Sequence, residues 1–223
     1  MLENGRLLWG MCCSLLWLSP PVVFSVADPG DLDVLMQFRD GLENPDLLKW
    51  PETGDDPCGP PSWSHVYGDD EFRVTQIQAQ GLGLKGTLPQ NLSKLSMLNN
   101  IGLQRNQLSG KLPSFRGLSS LQYAYLDYNS FDSIPSDFFD GLDDLEVLAL
   151  DHNNFNATNG WPFSKTLQNS AQLTNFSFMS CNLKGSLPDF LGSMPSLTNM
   201  KLSGNSLSGE ISRTFNGSSL QML

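Results

Sequence analysis

Tyr123, Tyr125, Asp127 and Tyr128 crowd into one short stretch of a chain that has only four tyrosines. Gln104 and Arg105 stand one repeat earlier, and Asp151 and His152 one repeat later. Tyrosine offers rigid contact area with a polar tip, and this makeup suits recognition of a protein or peptide surface. The same tyrosines would also suit a plain strand, because aromatics pack well on a pleated surface. Sets that could do covalent chemistry are thin. Asp151-His152 lacks a paired nucleophile in a chain with two histidines. Asp69-Asp70-Glu71 could draw a cation or form a solvated acidic turn. Gly81-Leu82-Gly83-Leu84-Lys85-Gly86 has the spacing of a phosphate loop, yet no kinase lysine strand or catalytic loop follows it. Its glycines read as turn positions. The expectation is a chain that is not an enzyme, with no cofactor and no metal.

The recognition residues need a scaffold, and one spacing supplies it. Leu98-x-x-Ile101-x-Leu103-x-x-Asn106-x-Leu108-x-Gly110-x-Leu112-Pro113 is complete, and it returns around Leu197, Met200, Leu202, Asn205, Leu207, Gly209 and Ile211. The central L-x-L piece predicts a short strand with both apolar side chains turned into the core. The residues between them face the other way, onto a concave surface. Asn106, Asn129, Asn153 and Asn205 fall where the chain leaves the strand, and their amides can pair the backbone groups that the turn orphans. A single coil cannot bury its leucines, but stacked coils can. This pattern resembles the leucine-rich repeat. It predicts an α/β fold, a right-handed solenoid with parallel concave strands and a helical N-terminal cap.

Composition agrees. The 223 residues suffice for one sizeable domain, and only 16% are charged. The net charge of −10 argues against nucleic acid and against an anionic membrane surface. Residues 1–27 read as a secretory signal, with Arg6 in the n-region, an apolar run from Leu7 to Val26, and Ser25-Val26-Ala27 at the cleavage site. No other stretch reaches the about 18 apolar residues of a membrane helix.

The cap is expected over 28–72. Leu35, Phe38 and Leu42 fall at helical spacing from residue 31, and Asn44-Pro45 ends the run. Trp63 should pack on the first coil. Six repeats follow over 73–217, with the ladder position at 82, 106, 129, 153, 181 and 205. Leu82 and Cys181 replace Asn there. The third coil is one residue short before Ile134-Pro135. The fourth loses Gly-x-Leu-Pro, and an insertion spans 156–170. Residues 218–223 open a seventh repeat that the sequence does not finish.

Outside the signal two cysteines remain, Cys58 and Cys181. Stacking at about 4.8 Å puts them roughly 19 Å apart along the solenoid, whereas a disulfide needs Cα atoms within about 7 Å. Cys181 is therefore expected buried in the ladder, and Cys58 unpaired or paired with another chain. Asn-x-Ser/Thr sequons at Asn91, Asn156, Asn175 and Asn216 mark glycan acceptors in a secreted chain. Asn175 lies in a strand, where a glycan would crowd the concave face.

The L-x-G-x-I-P form of the repeat resembles the plant-specific class, and Asp56-Pro57-Cys58 with Trp63-x-x-Val66 resembles the cap of plant receptor-like kinases. The segments Arg73–Gln78, Gly81–Pro89, Gly102–Asn106 and Phe131–Phe139, the short third coil and the insertion after Asn153 resemble the transmembrane-kinase subfamily. The resemblance implies a cell-surface ectodomain that continues through more repeats, a membrane helix and a serine/threonine kinase. It also implies a link to auxin and growth signalling, an apoplastic protein or peptide ligand such as a cupin-fold auxin-binding protein, and a co-receptor. The family cap has a second cysteine where this chain has Gly68, so the family's cap disulfide should be missing. The sequence reads as stopping before the membrane helix and kinase. The alternative is a stand-alone secreted protein, a cell-wall-enzyme inhibitor or a receptor decoy.

Overall fold

A computed structural model of the chain describes residues 27–53, 56–155 and 165–221. Residues 1–26 of the signal-like segment and Trp161 lie outside them. The elements are α1 (Pro29–Asp40), β1 (Val66–Gly68), β2 (Val74–Gln78), β3 (Lys85–Gly86), β4 (Asn100–Gly102), β5 (Gln107–Lys111), β6 (Tyr123–Tyr125), β7 (Ser130–Ser133), β8 (Val147–Ala149), β9 (Asn175–Ser177), β10 (Lys184–Gly185), β11 (Asn199–Lys201) and β12 (Ser206–Leu207). Short 3-10 turns complete the back of several coils. The fold is a leucine-rich-repeat solenoid with an N-terminal helix. Among the described residues the only α-helix belongs to the cap.

One sheet runs the length of the solenoid in the order β1-β2-β4-β6-β8-β9-β11. Every pair is parallel except β1 with β2, where the cap adds an antiparallel edge. The middle residues Ile77, Ile101, Ala124, Leu148, Phe176 and Met200 are buried, while their neighbours on either side alternate outward. A second sheet lies behind, as β3-β5-β7 and β10-β12. Among the described residues these two parts are separate, and the fourth coil, whose sequence lacks the Gly-x-Leu-Pro tail, adds no strand to them. The short third coil is taken up by a register shift between Gly110 and Lys111 where β5 meets β7.

The asparagine ladder holds the turns. Asn129 Nδ2 donates to the Leu103 and Leu126 carbonyls at 3.0 and 3.1 Å, and its Oδ1 accepts from Leu108 N at 3.1 Å. Asn106, Asn153 and Asn205 repeat this arrangement, each in its own coil. Cys181 is fully buried, and its Sγ lies 3.0 Å from the Leu150 carbonyl, the place of an amide donor. Burial pushes its thiol up to about 12, so it stays an S–H. The first coil has Leu82 instead of Asn. Its rung is completed by Asn44 of the cap, which donates to Gly83 O at 3.0 Å and accepts from Lys85 N at 2.9 Å.

The cap helix begins earlier than its apolar spacing suggests. Asp28 is the N-cap and Pro29 opens the first turn, which a ring-fixed φ favours. The helix ends at Gly41, ahead of Asn44-Pro45. Phe38, Trp50 and Trp63 form one aromatic cluster, with centroids 5.8 and 5.4 Å apart. Asp31 is wholly buried. It takes a two-pronged contact from Arg73 at 3.0 Å each and a third bond from Val74 N at 2.9 Å. Cys58 is half-buried and unpaired. Burial first, then the carboxylates of Asp56, Asp31 and Asp69, raise its thiol to about 11.

Candidate functional site: the concave sheet

Strand register sorts the outward residues into rows. One row is Gln76, Asn100, Tyr123, Val147, Asn175 and Asn199; the next is Gln78, Gly102, Tyr125, Ala149, Ser177 and Lys201. Tyr123 and Tyr125 therefore form a ridge on the third coil. Small side chains flank Tyr125 on both sides. The Tyr123 hydroxyl donates to Glu146 Oε2 at 2.8 Å, and that bond raises its pKa.

Beyond the ridge the surface drops into a groove of about 350 Å³. Val147, Ala149, Asp151, Asn175, Ser177, Asn199 and Lys201 line it. Most of these residues escaped sequence reasoning. The signal that could have found them is a size contrast, since Ala149 and Ser177 sit in register with Tyr125. Asn199 Nδ2 donates to Asn175 Oδ1 at 2.7 Å, so the sequon asparagine is a sheet residue already engaged across the strands.

Asp151 departs from the expectation of a partner-facing carboxylate. It is buried, accepts from the Ser177 hydroxyl at 2.7 and 2.8 Å, and accepts from Met179 N at 2.6 Å. Its work is to join the fourth and fifth coils. Gln104 is partly buried, and Arg105 is exposed. The Arg105 guanidinium lies 5.3 Å from the Tyr128 ring centre, and Tyr128 stacks on His152 at 4.4 Å. The structure thus brings Arg105, Tyr128 and His152 together and separates them from the tyrosine ridge by one row.

Asp127 lies in that intervening row. Burial first, and then Asp151, raise its carboxyl above the ordinary range, against the pull of Arg105 and His152. The folded chain therefore binds this proton more tightly than the unfolded chain does. That favours folding at low pH, and the gain fades as pH climbs from the ordinary carboxylate value through the raised one. Asp127→Asn is expected to melt above the parent at pH 7 and level with it at pH 3. Equal melting at both pH values would contradict this assignment.

The remaining candidates are scattered. Asp69 Oδ1 accepts from Glu71 N and Arg73 N, both at 2.9 Å, which makes that acidic run a capped turn. Among the described residues no cluster of metal-ligating side chains occurs. Asn91 is partly buried and its Nδ2 donates to Asp33 at 3.3 Å. Asn216 is exposed on the last turn. Asn156 lies outside the described residues. Gly81, Gly83 and Gly86 all have positive φ, as turn glycines do.

Comparison with known proteins agrees with this geometry. Residues 28–67 match the leucine rich repeat N-terminal domain and residues 112–155 the leucine rich repeat. Receptor-like kinase TMK2 of Arabidopsis thaliana is 38% identical over 213 residues, which is 94% of this chain and 23% of that protein. The chain spans less than a quarter of the length of such curated relatives. Among solved structures, the ectodomain of GASSHO1/SCHENGEN3 from the same plant, in complex with Casparian strip integrity factor 2, superposes with a TM-score of 0.74 at 27% identity. The match covers 86% of this chain and 23% of that one. The BIR2 ectodomain, also from Arabidopsis thaliana, gives 0.68 at 26% identity, over 83% of this chain and 96% of that one. No helix among the described residues is long and apolar enough to cross a membrane, and the 223 residues carry the repeat domain and no kinase domain. The chain is a leucine-rich-repeat domain of the kind found in plant receptor-like kinases of the transmembrane-kinase subfamily.

Proposed function

We propose that this chain is an extracellular recognition domain that binds a protein or peptide ligand on its concave sheet, without catalysis of its own. The observation that carries this reading is the Tyr123–Tyr125 ridge beside a 350 Å³ groove. Tyrosines on a rigid sheet lose little entropy on binding, and a concave floor beside them adds buried contact. The likeness to an ectodomain solved in complex with a factor supports the same use of the fold. In a longer receptor, ligand binding here would bring a kinase-bearing partner or co-receptor close. A secretory leader over 1–27, a location outside the cell or at the plasma membrane, auxin and growth signalling, and a cupin-fold auxin-binding ligand belong to this proposal. The leader rests on the sequence pattern of 1–27, and the others rest on the resemblance. Among the sequons, the exposure of Asn216 supports it as the most open glycan acceptor, and the engagement of Asn175 with Asn199 speaks against that one.

The test is a double substitution. The wild-type domain is immobilised, and a partner recovered from apoplastic fluid is titrated against it. Tyr123→Ala with Tyr125→Ala is expected to weaken that binding about tenfold or more, as loss of paired aromatic anchors does. Tyr67→Ala is the control, since Tyr67 is exposed on β1, at the N-terminal edge of the sheet. Unchanged binding in the double variant would move the site away from the ridge, toward the insertion.

A further inference from the structure

We propose that the open face of His152, above Ser180 and Gly204, seats an aromatic side chain of the polypeptide ligand, a tryptophan or tyrosine, as the fourth layer of the Arg105–Tyr128–His152 stack. This rests on the concave-recognition reading and adds the chemistry of one contact to it.

The stack is a product of the backbone. At the end of each concave strand one residue has positive φ: Arg105 at 59°, Tyr128 at 53°, His152 at 53° and Ser180 at 54°. Gly81 and Gly204 hold the same place on the outer coils, at 67° and 72°. Main-chain bonds fix them as one column. Arg105 N donates to Asp127 O, Tyr128 N to Asp151 O, His152 N to Met179 O and Ser180 N to Ser203 O, all within 2.8–2.9 Å. Each column residue therefore stands about 4.8 Å from the next, the strand spacing. That rise is close to the stacking distance of flat groups, and the 4.4 Å between the Tyr128 and His152 rings shows it in use.

The column then changes character. After three large flat groups come a serine and a glycine. A Cβ built on Gly204 would stand 2.6 Å from Ser180 Oγ, so these two positions are adjacent and carry almost no bulk. Ser180 and His152 are both exposed. The space one layer beyond His152 is thus bounded below by small polar groups and on one side by an imidazole.

Charge selects the occupant. The layers run guanidinium, electron-rich phenol, then a flat imidazole with its own N–H donor. The complementary next layer is again electron-rich, which favours indole or phenol over an aliphatic group. Lys201, exposed in the adjoining groove and without an ion-pair partner among the described residues, extends the cationic side of this surface. The Asp151 carboxylate between them is held by Ser177 and Met179.

The chain has only two histidines, which gives a clean readout. Proton NMR of the whole chain is followed while N-acetyl-tryptophanamide is added, with N-acetyl-glycinamide as the control. The expected result is a saturable upfield shift of the His152 ring protons, none for His65, and none with the glycine probe. Ser180→Tyr should shift the His152 resonances without any probe and abolish the response to it. The backbone at 180 already has the conformation that Tyr128 adopts. An unmoved His152, an equal response to both probes, or a full response in Ser180→Tyr would overturn the inference. The wild-type probe comparison stands even if the variant misfolds. If the probe fails while Tyr123→Ala with Tyr125→Ala still weakens ligand binding, the stack falls and concave recognition remains.

Discussion

Asp31→Ala is expected to unlatch the cap from the first coil, at a cost of about 3–5 kcal/mol. Asp31 is the one fully buried carboxylate of the described residues. It answers three donors, two from Arg73 and one from Val74 N. Its removal leaves the buried Val74 amide without that acceptor and the half-sheltered guanidinium with only the Ser96 hydroxyl at 3.1 Å. Uncompensated burial of that kind costs more than the intact pair contributes. In a solenoid each unit touches only its neighbours, so the damage should stay local. Trp50 and Trp63 both belong to the cap. Their fluorescence should therefore change at lower denaturant than the far-ultraviolet signal of the coils, while the two coincide in the parent. Asp31→Asn keeps an acceptor for Val74 N and loses the charge, so its midpoint should fall between. If both signals in Asp31→Ala remain at the parental midpoint, the buried pair does not hold the cap.

This lock shows where the sequence stopped being readable. A carboxylate in an amphipathic helix looks like any exposed one, and its partner lies 42 residues further on. Asn44 completing the rung that Leu82 leaves empty is hidden in the same way, since 41 residues separate it from Lys85. Local period carries no trace of either contact. By contrast the strands, the ladder and the outward rows follow from spacing alone, because each coil repeats one local conformation and the register then propagates. The recognition surface was legible as far as that repetition reaches. Tyr123 and Tyr125 stand on the sheet because they alternate with the buried Ala124 and Leu126. Asp151 alternates as well and lines the groove, yet its carboxylate is covered there because Ser177 and Met179 of the next coil supply donors. The groove was missed because it is made by what Ala149 and Ser177 lack.

Gly68→Cys is expected to close a bridge to Cys58 and stabilise the cap by about 2–4 kcal/mol. The resemblance places the family's second cap cysteine at this position, and the geometry agrees. A Cβ built on Gly68 would stand 2.7 Å from the Cys58 Cβ and 2.5 Å from its Sγ. A relaxed disulfide wants the two Cβ atoms about 3.8 Å apart, so the segments must part by roughly 1 Å. Gly68 can yield, since it is the exposed last residue of β1 and pairing slips between Tyr67 and Gly68. Gly68→Ser separates crowding from bonding: it brings the added Cβ without the bridge, and should lower the melting temperature. Kinetics should also bear the mark of the site. The thiolate attacks in disulfide exchange, and a Cys58 thiol raised to about 11 supplies little of it at neutral pH. Bond formation by small-molecule oxidants should therefore speed up toward alkaline pH. The measurement is the mass of the unreduced chain together with its melting temperature, with and without reductant. A bridge that forms and leaves the melting temperature unchanged would remove the stabilising role. No bridge after long alkaline oxidation would mean that Cys58 and Gly68 do not face each other as described.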